Sequence, residues 1–218
     1  MGLFGAGQMM FLKVIVAIDP DQNPKDLEAF LDALNDKVEI SEDVVVLPGM
    51  VADSLEAASP FENVHDKLLI DATTLVSTDP RSPDEPLEGS YNQPTPAWRQ
   101  GTAASEPFEH LAGVEALPGV RQARMLRDNM LVVSTPVAGT PSPRTGQHAG
   151  DDAQEGQRIE QINQLRDSIW QLDSKKNIRW LFITNDDLDM THTKARRRLL
   201  WQLTARFDVG RGLTFDEG

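Results

Sequence analysis

Apolar residues in this chain come in short bursts, each closed by an acidic or Pro/Gly-containing turn. Lys13-Val-Ile-Val-Ala-Ile18 is β-branched, ends at Asp19-Pro20-Asp21, and predicts a strand. Asn23 then fits an N-cap, with Pro24 at the first helical position, where its missing N–H costs nothing. Leu27, Phe30, Leu31 and Leu34 follow at i, i+3, i+4 and i+7, one apolar helix face. Val44-Val-Val-Leu47 is a second strand candidate, stopped by Pro48-Gly49. The connection has the length of a crossover helix, which predicts that the two strands run parallel with a right-handed crossover. Lys67-Leu-Leu-Ile-Asp71 is a further short strand.

The pattern breaks after Leu75. Residues 76–107 are rich in Pro, Ser and acidic side chains without periodicity, as expected of an insertion or linker. From Phe108 order returns. Leu117–Met125, a tight turn at Arg127-Asp-Asn129, and Met130-Leu-Val-Val-Ser134 predict two antiparallel strands. Residues 135–152 are a second irregular stretch. Ile159, Ile162, Ile169 and Leu172 predict a helix over 153–173, Ile178–Ile183 a strand with an acidic turn at Asn185–Asp189, and Ala195, Leu199, Leu203 and Phe207 a helix over 191–206.

Two segments run in the same order: KVIVAIDPDQN, the FLDALNDKVE helix and DVVVLPG, then RWLFITNDDLD, the LLWQLTARFD helix and GLTF. This predicts an internal repeat. The expected fold is α/β, with repeated β-α-β units forming mixed, largely parallel sheets, flanking helices and two long irregular insertions. The expected division is 1–75, a 76–107 linker, and a second related module over 108–218.

Composition narrows the classes. The chain has 218 residues, no cysteine and a formal net charge of −13; its pI is near 4.7 and its mean hydropathy −0.38. Disulfides, thiolate metal sites and cysteine nucleophiles are excluded, and the acidic balance argues against nucleic-acid binding. The longest apolar stretch is interrupted by glycines and Lys13, a poor membrane span. The Met-Gly-Leu-Phe start lacks a basic n-region, so no signal peptide is expected and the cytoplasm is the expected compartment.

The familiar catalytic patterns are missing. Gly2, Gly5 and Gly7 precede a strand, whereas a dinucleotide fingerprint follows one and opens a helix. Asp19-x-Asp21-x-Asn23 and Asn185-x-Asp187-x-Asp189 lack the Gly and Glu of a calcium loop and read as strand-to-helix turns. His65, His110, His148 and His192 show no ligand spacing. There is no G-x-S-x-G and no G-x-x-x-x-G-K-[ST]. Arg196-Arg197-Arg198 could bind an acidic partner, but three consecutive helical positions spread around the circumference and are expected as solvated surface; Trp180 and Trp201 could anchor an interface, but are expected to be buried in packing.

GAGQMMFLKVIVAIDPDQNPKDLEAFLDAL, followed by VVVLPGMVADSLEAASP and HDKLLIDATTL, resembles the C-terminal domain of the UbiD-like decarboxylases. These include the 3-polyprenyl-4-hydroxybenzoate carboxy-lyases and relatives in menaquinone synthesis. That family runs a W-G-x-G-Q-M-like segment into a strand, an acidic turn and a helix, and later an S-K-x-x-I-D-A-T segment. The resemblance covers residues 2–75. LPGVRQARMLRDNMLVVST and NIRWLFITNDDLDMTHTKARRRLLWQLTARFD resemble the same family more loosely, as an additional module of extended members. The resemblance implies a carboxy-lyase using prenylated flavin mononucleotide, a divalent metal and potassium, with catalytic groups on an upstream flavin-binding domain or subunit. It implies that this part packs over the active site, self-associates and is inactive alone. Lys67 takes the place of the lysine near the flavin phosphate, with His65-Asp66 where the family has Gly-Ser; Asp71 reads as a strand-end hydrogen-bonding residue. A non-catalytic interaction module that retains the fold is the alternative, and nucleotide binding at the strand ends a third reading.

Overall fold

Strand β1, Val14–Ile18, is half-buried along its whole length. The structure is a computed structural model, and it describes residues 7–54, 63–73, 108–136, 149–173, 177–185, 194–205, 207 and 209–215. The insertion at 76–107, residues 137–148 and the acidic turn at 186–189 lie outside these. Helix α1, Leu27–Lys37, starts later than the sequence suggests: its N-cap is Asp26, whose carboxylate accepts from Glu28 and Ala29 N–H. Asn23 instead opens a turn. Its carbonyl accepts from Asp26 N–H and its side chain from Lys25 N–H, and Pro24 fits the second position of that turn, where its fixed φ is favoured.

The two flanking strands of the first unit are neither parallel nor adjacent. The sheet order is β1-β3-β2, with β2 over Val44–Val51 and β3 over Val64–Ala72. β1 is parallel to β3, and β2 antiparallel to it. Lys37, in the last turn of α1, is ion-paired at 2.5 Å to Asp19 at the end of β1. A short helix α2, Ile40–Asp43, then delivers Val44 opposite Ile70, near the end of β3. The chain therefore re-enters the sheet at the same end where β1 leaves it, on the opposite edge, and β2 must run back. Nor does Pro48-Gly49 stop β2; the register is irregular between Leu47 and Met50, and Gly49 has φ +64°. A proline lacks the N–H for a central ladder and is tolerated at a bulge on an edge strand. The more buried β3 takes the centre.

The second unit repeats this sheet with its chain order changed. Strands β4 (Gln122–Arg127), β5 (Met130–Thr135) and β6 (Trp180–Asn185) lie in the order β4-β5-β6. The central β5 again has one antiparallel neighbour, β4, and one parallel neighbour, β6. A five-residue helix α3, Leu111–Glu115, precedes β4; it is too short to show periodicity. Helix α4, Ala149–Leu172, crosses from β5 to β6, and α5, Ala195–Ala205, follows β6 as α1 follows β1. The strand expected at GLTF does not form. Residues Val209–Gly212 make helix α6, and irregular chain follows. The hairpin that follows the helix in the first unit precedes the strand–helix pair in the second, a cyclic rearrangement of one sheet. The α/β class, mixed sheets and flanking helices stand.

A single core joins the units. Leu31, Leu34 and Val38 at α1 and Leu68, Ile70 and Ala72 of β3 pack with Met130 of β5 and Val209 of α6. Two arginines of the second unit hold α1. Arg127 reaches the Glu28 and Asp32 carboxylates and donates to the Glu28 carbonyl at 2.9 Å. Arg179 donates to the carbonyls of Asn35 and Val38, and Trp180 Nε1 to that of Leu34 at 3.2 Å. Carbonyls in a helix's last turn have no partner within the helix, and here Trp180 of β6 and Arg179 just before it satisfy two of them. Lys13 Nζ donates to the Phe207 carbonyl at 2.7 Å, tying the C-terminal segment to the start of β1.

Within the second unit, Asp173 and Asn129 lock the start of β6. The Asp173 carboxylate accepts from Asn177 N–H at 2.9 Å and Ile178 N–H at 2.7 Å. The Asn129 side chain donates to the Asn177 carbonyl at 2.6 Å, and its own carbonyl accepts from Arg179 and Trp180 N–H. Around them Val114, Ala123, Leu131, Val133, Leu165 and Ile169 form a second apolar cluster.

Val209 is 1% exposed and lies in the core of the first unit. Val209→Ala is expected to lower unfolding free energy by about 2 kcal/mol and to speed amide exchange in β1 and β3. Unchanged protection in those strands would show that the C-terminal segment does not support the first sheet.

Candidate functional site

The site is built on β3 because its side chains alternate between two environments. Leu68, Ile70 and Ala72 enter the core shared with α1. His65, Lys67, Leu69 and Asp71 point to the other face, by the two-residue period of a strand. Lys67 is fully buried there at 0% exposure, and His65 at 3%. Above Lys67 sits a 3-10 helical turn, Gly7–Phe11, whose Met10 carbonyl accepts a hydrogen bond from the Lys67 ammonium. Gly7 opens that turn at φ +54°, a conformation that side chains other than glycine rarely adopt. Gly2 and Gly5 lie outside the described residues. The third glycine of the opening thus shapes a turn over a lysine.

Burial pushes the Lys67 ammonium below the ordinary lysine value, because an apolar surround disfavours the charged form. Lys67 is fully buried, so a phosphate reaches this ammonium only if the chain around it moves; the Met10 carbonyl takes one of its three N–H donors.

Of the two departures from the family pattern beside Lys67, Asp66 has a local role. The Asp66 carboxylate accepts from Gly49 N–H at 2.8 Å, pinning the bulge of β2. Asp71 accepts from Thr73 N–H at 3.0 Å and from its hydroxyl at 2.7 Å, a strand-end hydrogen-bonding residue. The Pro48-Gly49 pair opposite Asp66 was the signal for a bulge; read locally it resembles a stop.

The remaining candidates are dispersed. His110 packs edge-on to Phe108, with ring centroids 5.9 Å apart; His148 and His192 lie outside the described residues. Among the described residues, no three His, Asp or Glu side chains group as metal ligands, and no helix is long and apolar enough to cross a membrane. Trp180 is half-buried and stacked parallel to Phe182. Trp201 departs from expectation: it is 55% exposed.

Residues 1–72 match the family profile of the 3-octaprenyl-4-hydroxybenzoate carboxy-lyase C-terminal domain. Over 100 residues the chain is 35% identical to the phenolic acid decarboxylase of Escherichia coli O157:H7, covering 43% of this chain and 20% of that protein. It is 37% identical over 73 residues to an uncharacterized protein of Aeropyrum pernix, covering 34% of this chain and 15% of that one. Among solved structures it is similar to the vanillic acid decarboxylase of Sedimentibacter hydroxybenzoicus in its closed form, with 27% identity, a TM-score of 0.33, and coverage of 45% of this chain and 21% of that one. The resemblance to the UbiD-like C-terminal domain is thereby shown over the first third of the chain. The matched part spans a fifth or less of the curated relatives' lengths.

Lys67→Met tests the burial. Lysine held below its ordinary value binds fewer protons folded than unfolded, so its contribution to stability rises with pH toward the ordinary 10.5. The stability of the wild type relative to Lys67→Met is expected to improve as pH rises through the alkaline range. A difference independent of pH between 7 and 10.5, measured by denaturant unfolding, would show that Lys67 is not held in a desolvated site.

Proposed function

We propose that this chain is the C-terminal part of a UbiD-like, prenylated-flavin-dependent aromatic acid decarboxylase of quinone biosynthesis. It serves as an assembly and dimerisation unit in the cytoplasm and is inactive without an upstream flavin-binding domain or subunit. The match of residues 1–72 to a carboxy-lyase C-terminal domain carries this reading, and the similarity to the phenolic acid decarboxylase supports the reaction class. The cofactor, with its divalent metal and potassium, belongs in this proposal to the flavin-binding part. Lys67 is the one residue of this chain assigned to the flavin phosphate. That role requires the chain that buries Lys67 to open in the assembled enzyme. The bound cofactor supplies the electrophilic chemistry of decarboxylation; this chain supplies packing and, at Lys67, one positive charge.

One observation favours a second reading. The Lys67 ammonium is already engaged by the Met10 carbonyl, as expected of a module that keeps the fold but has no cofactor to meet.

The purified 24.1 kDa chain is expected to show no flavin absorbance and to release no carbon dioxide from vanillate or 4-hydroxybenzoate. Its native polypeptide is expected to contain, or co-purify with, a flavin-binding part that restores turnover. Decarboxylation by the isolated chain would overturn the assembly role. A native polypeptide of this mass with no flavin-binding partner would overturn the decarboxylase reading and leave the second.

A further inference from the structure

Helix α5 carries its charge where a helix least favours it. Arg196, Arg197 and Arg198 stand in or next to its first turn, which contains no acidic residue. The positive end of the helix dipole repels cations there. Packing decides which way these residues face. Ala195 and Leu199 are buried, and Leu199 lies against Val132, with Phe182 packed beside them. Lys194, Arg197, Arg198 and Trp201 follow at i, i+3, i+4 and i+7, so they share one face of the helix. All four are exposed.

Two further features set this stripe apart. Trp201 is the most exposed large apolar side chain among the described residues, at 55%. Between Lys194 and Gly212 the sequence holds six basic residues and one acidic residue, Asp208, a local charge of +5 in a chain of −13. The rest of the chain therefore carries −18. Cations set against the helix dipole beside an exposed tryptophan break two local rules on one surface, and such breaches concentrate at functional sites.

We propose that the Arg197–Arg198–Trp201 face of α5 docks an acidic protein segment. The guanidinium groups pair with its carboxylates, and the indole covers an apolar side chain between them. Arginine and tryptophan are the residues that most often dominate protein–protein binding energy. The partner's size follows from charge. A nucleic acid or an anionic membrane extends well beyond the stripe and meets the repulsion of the remaining −18. A short acidic segment feels mainly charges within about 8 Å at physiological salt, so it is repelled less by the rest of the chain than an extended polyanion is.

The test uses the full chain and a fluorescein-labelled peptide of alternating Glu and Leu, followed by anisotropy at low and physiological salt. Binding that weakens with salt is expected. Arg197→Glu/Arg198→Glu should weaken it at least about tenfold, and Trp201→Ala about tenfold or more. These side chains are exposed, so melting temperatures should stay near wild type; Arg197→Gln/Arg198→Gln, which adds no like-charge repulsion, should give a smaller loss of the same sign. The proposal is overturned if the peptide fails to bind, if it binds the variants as tightly as the wild type, or if a single-stranded oligonucleotide or phosphatidylserine vesicles bind more tightly than the peptide.

Discussion

The structure depends on the burial of helix α1 between two sheets. An eleven-residue helix is marginal by itself in water, so its stability has to come from what it packs against. The apolar stripe of Leu31 and Leu34 is covered by β3 and by Met130 of the other sheet. Arg127 engages its N-terminal half, and Arg179 and Trp180 take carbonyls at its C-terminal end. With one helix serving both sheets, the units share a core, and the C-terminal α6 is drawn into the first unit through Val209. The family profile ends at residue 72, while the packing runs across that point.

The same economy explains the buried lysine. Taking an ammonium out of water is costly unless acceptors replace the water. The Met10 carbonyl is one such acceptor, and it is available because Gly7 lets the turn fold back over β3. The positive charge thus holds the opening turn on the sheet. In the proposed enzyme a phosphate would have to reach Lys67 past the chain that buries it.

The cyclic rearrangement between the units gives their two sheets the same neighbours by different routes. In the first unit the parallel strand and its helix come before the hairpin; in the second they come after it, across α4. Each sheet keeps its most buried strand at the centre, with one parallel and one antiparallel neighbour. Strand order follows burial here, and chain order adapts to it.

Local pattern was enough to place β1, β3, β5, β6 and the helices α1, α4 and α5, because a run of β-branched residues or a 3.6-residue stripe is a property of neighbouring residues. The family resemblance was legible for the same reason, in short ordered matches ending at HDKLLIDATTL. What the residues themselves determined is therefore the α/β class and core-facing positions such as Leu31, Leu34, Ile169 and Leu199, though not Ile159, which is exposed. Tertiary structure decided the direction of β2, because it depends on where α1 ends relative to Asp19. It decided the fate of GLTF, which became the end of a short helix and irregular chain while a hairpin from elsewhere filled the sheet. It also decided that Lys67 faces Met10 and that Trp201 faces solvent. Each of these is set by contacts between residues far apart in the chain, and no local period encodes them.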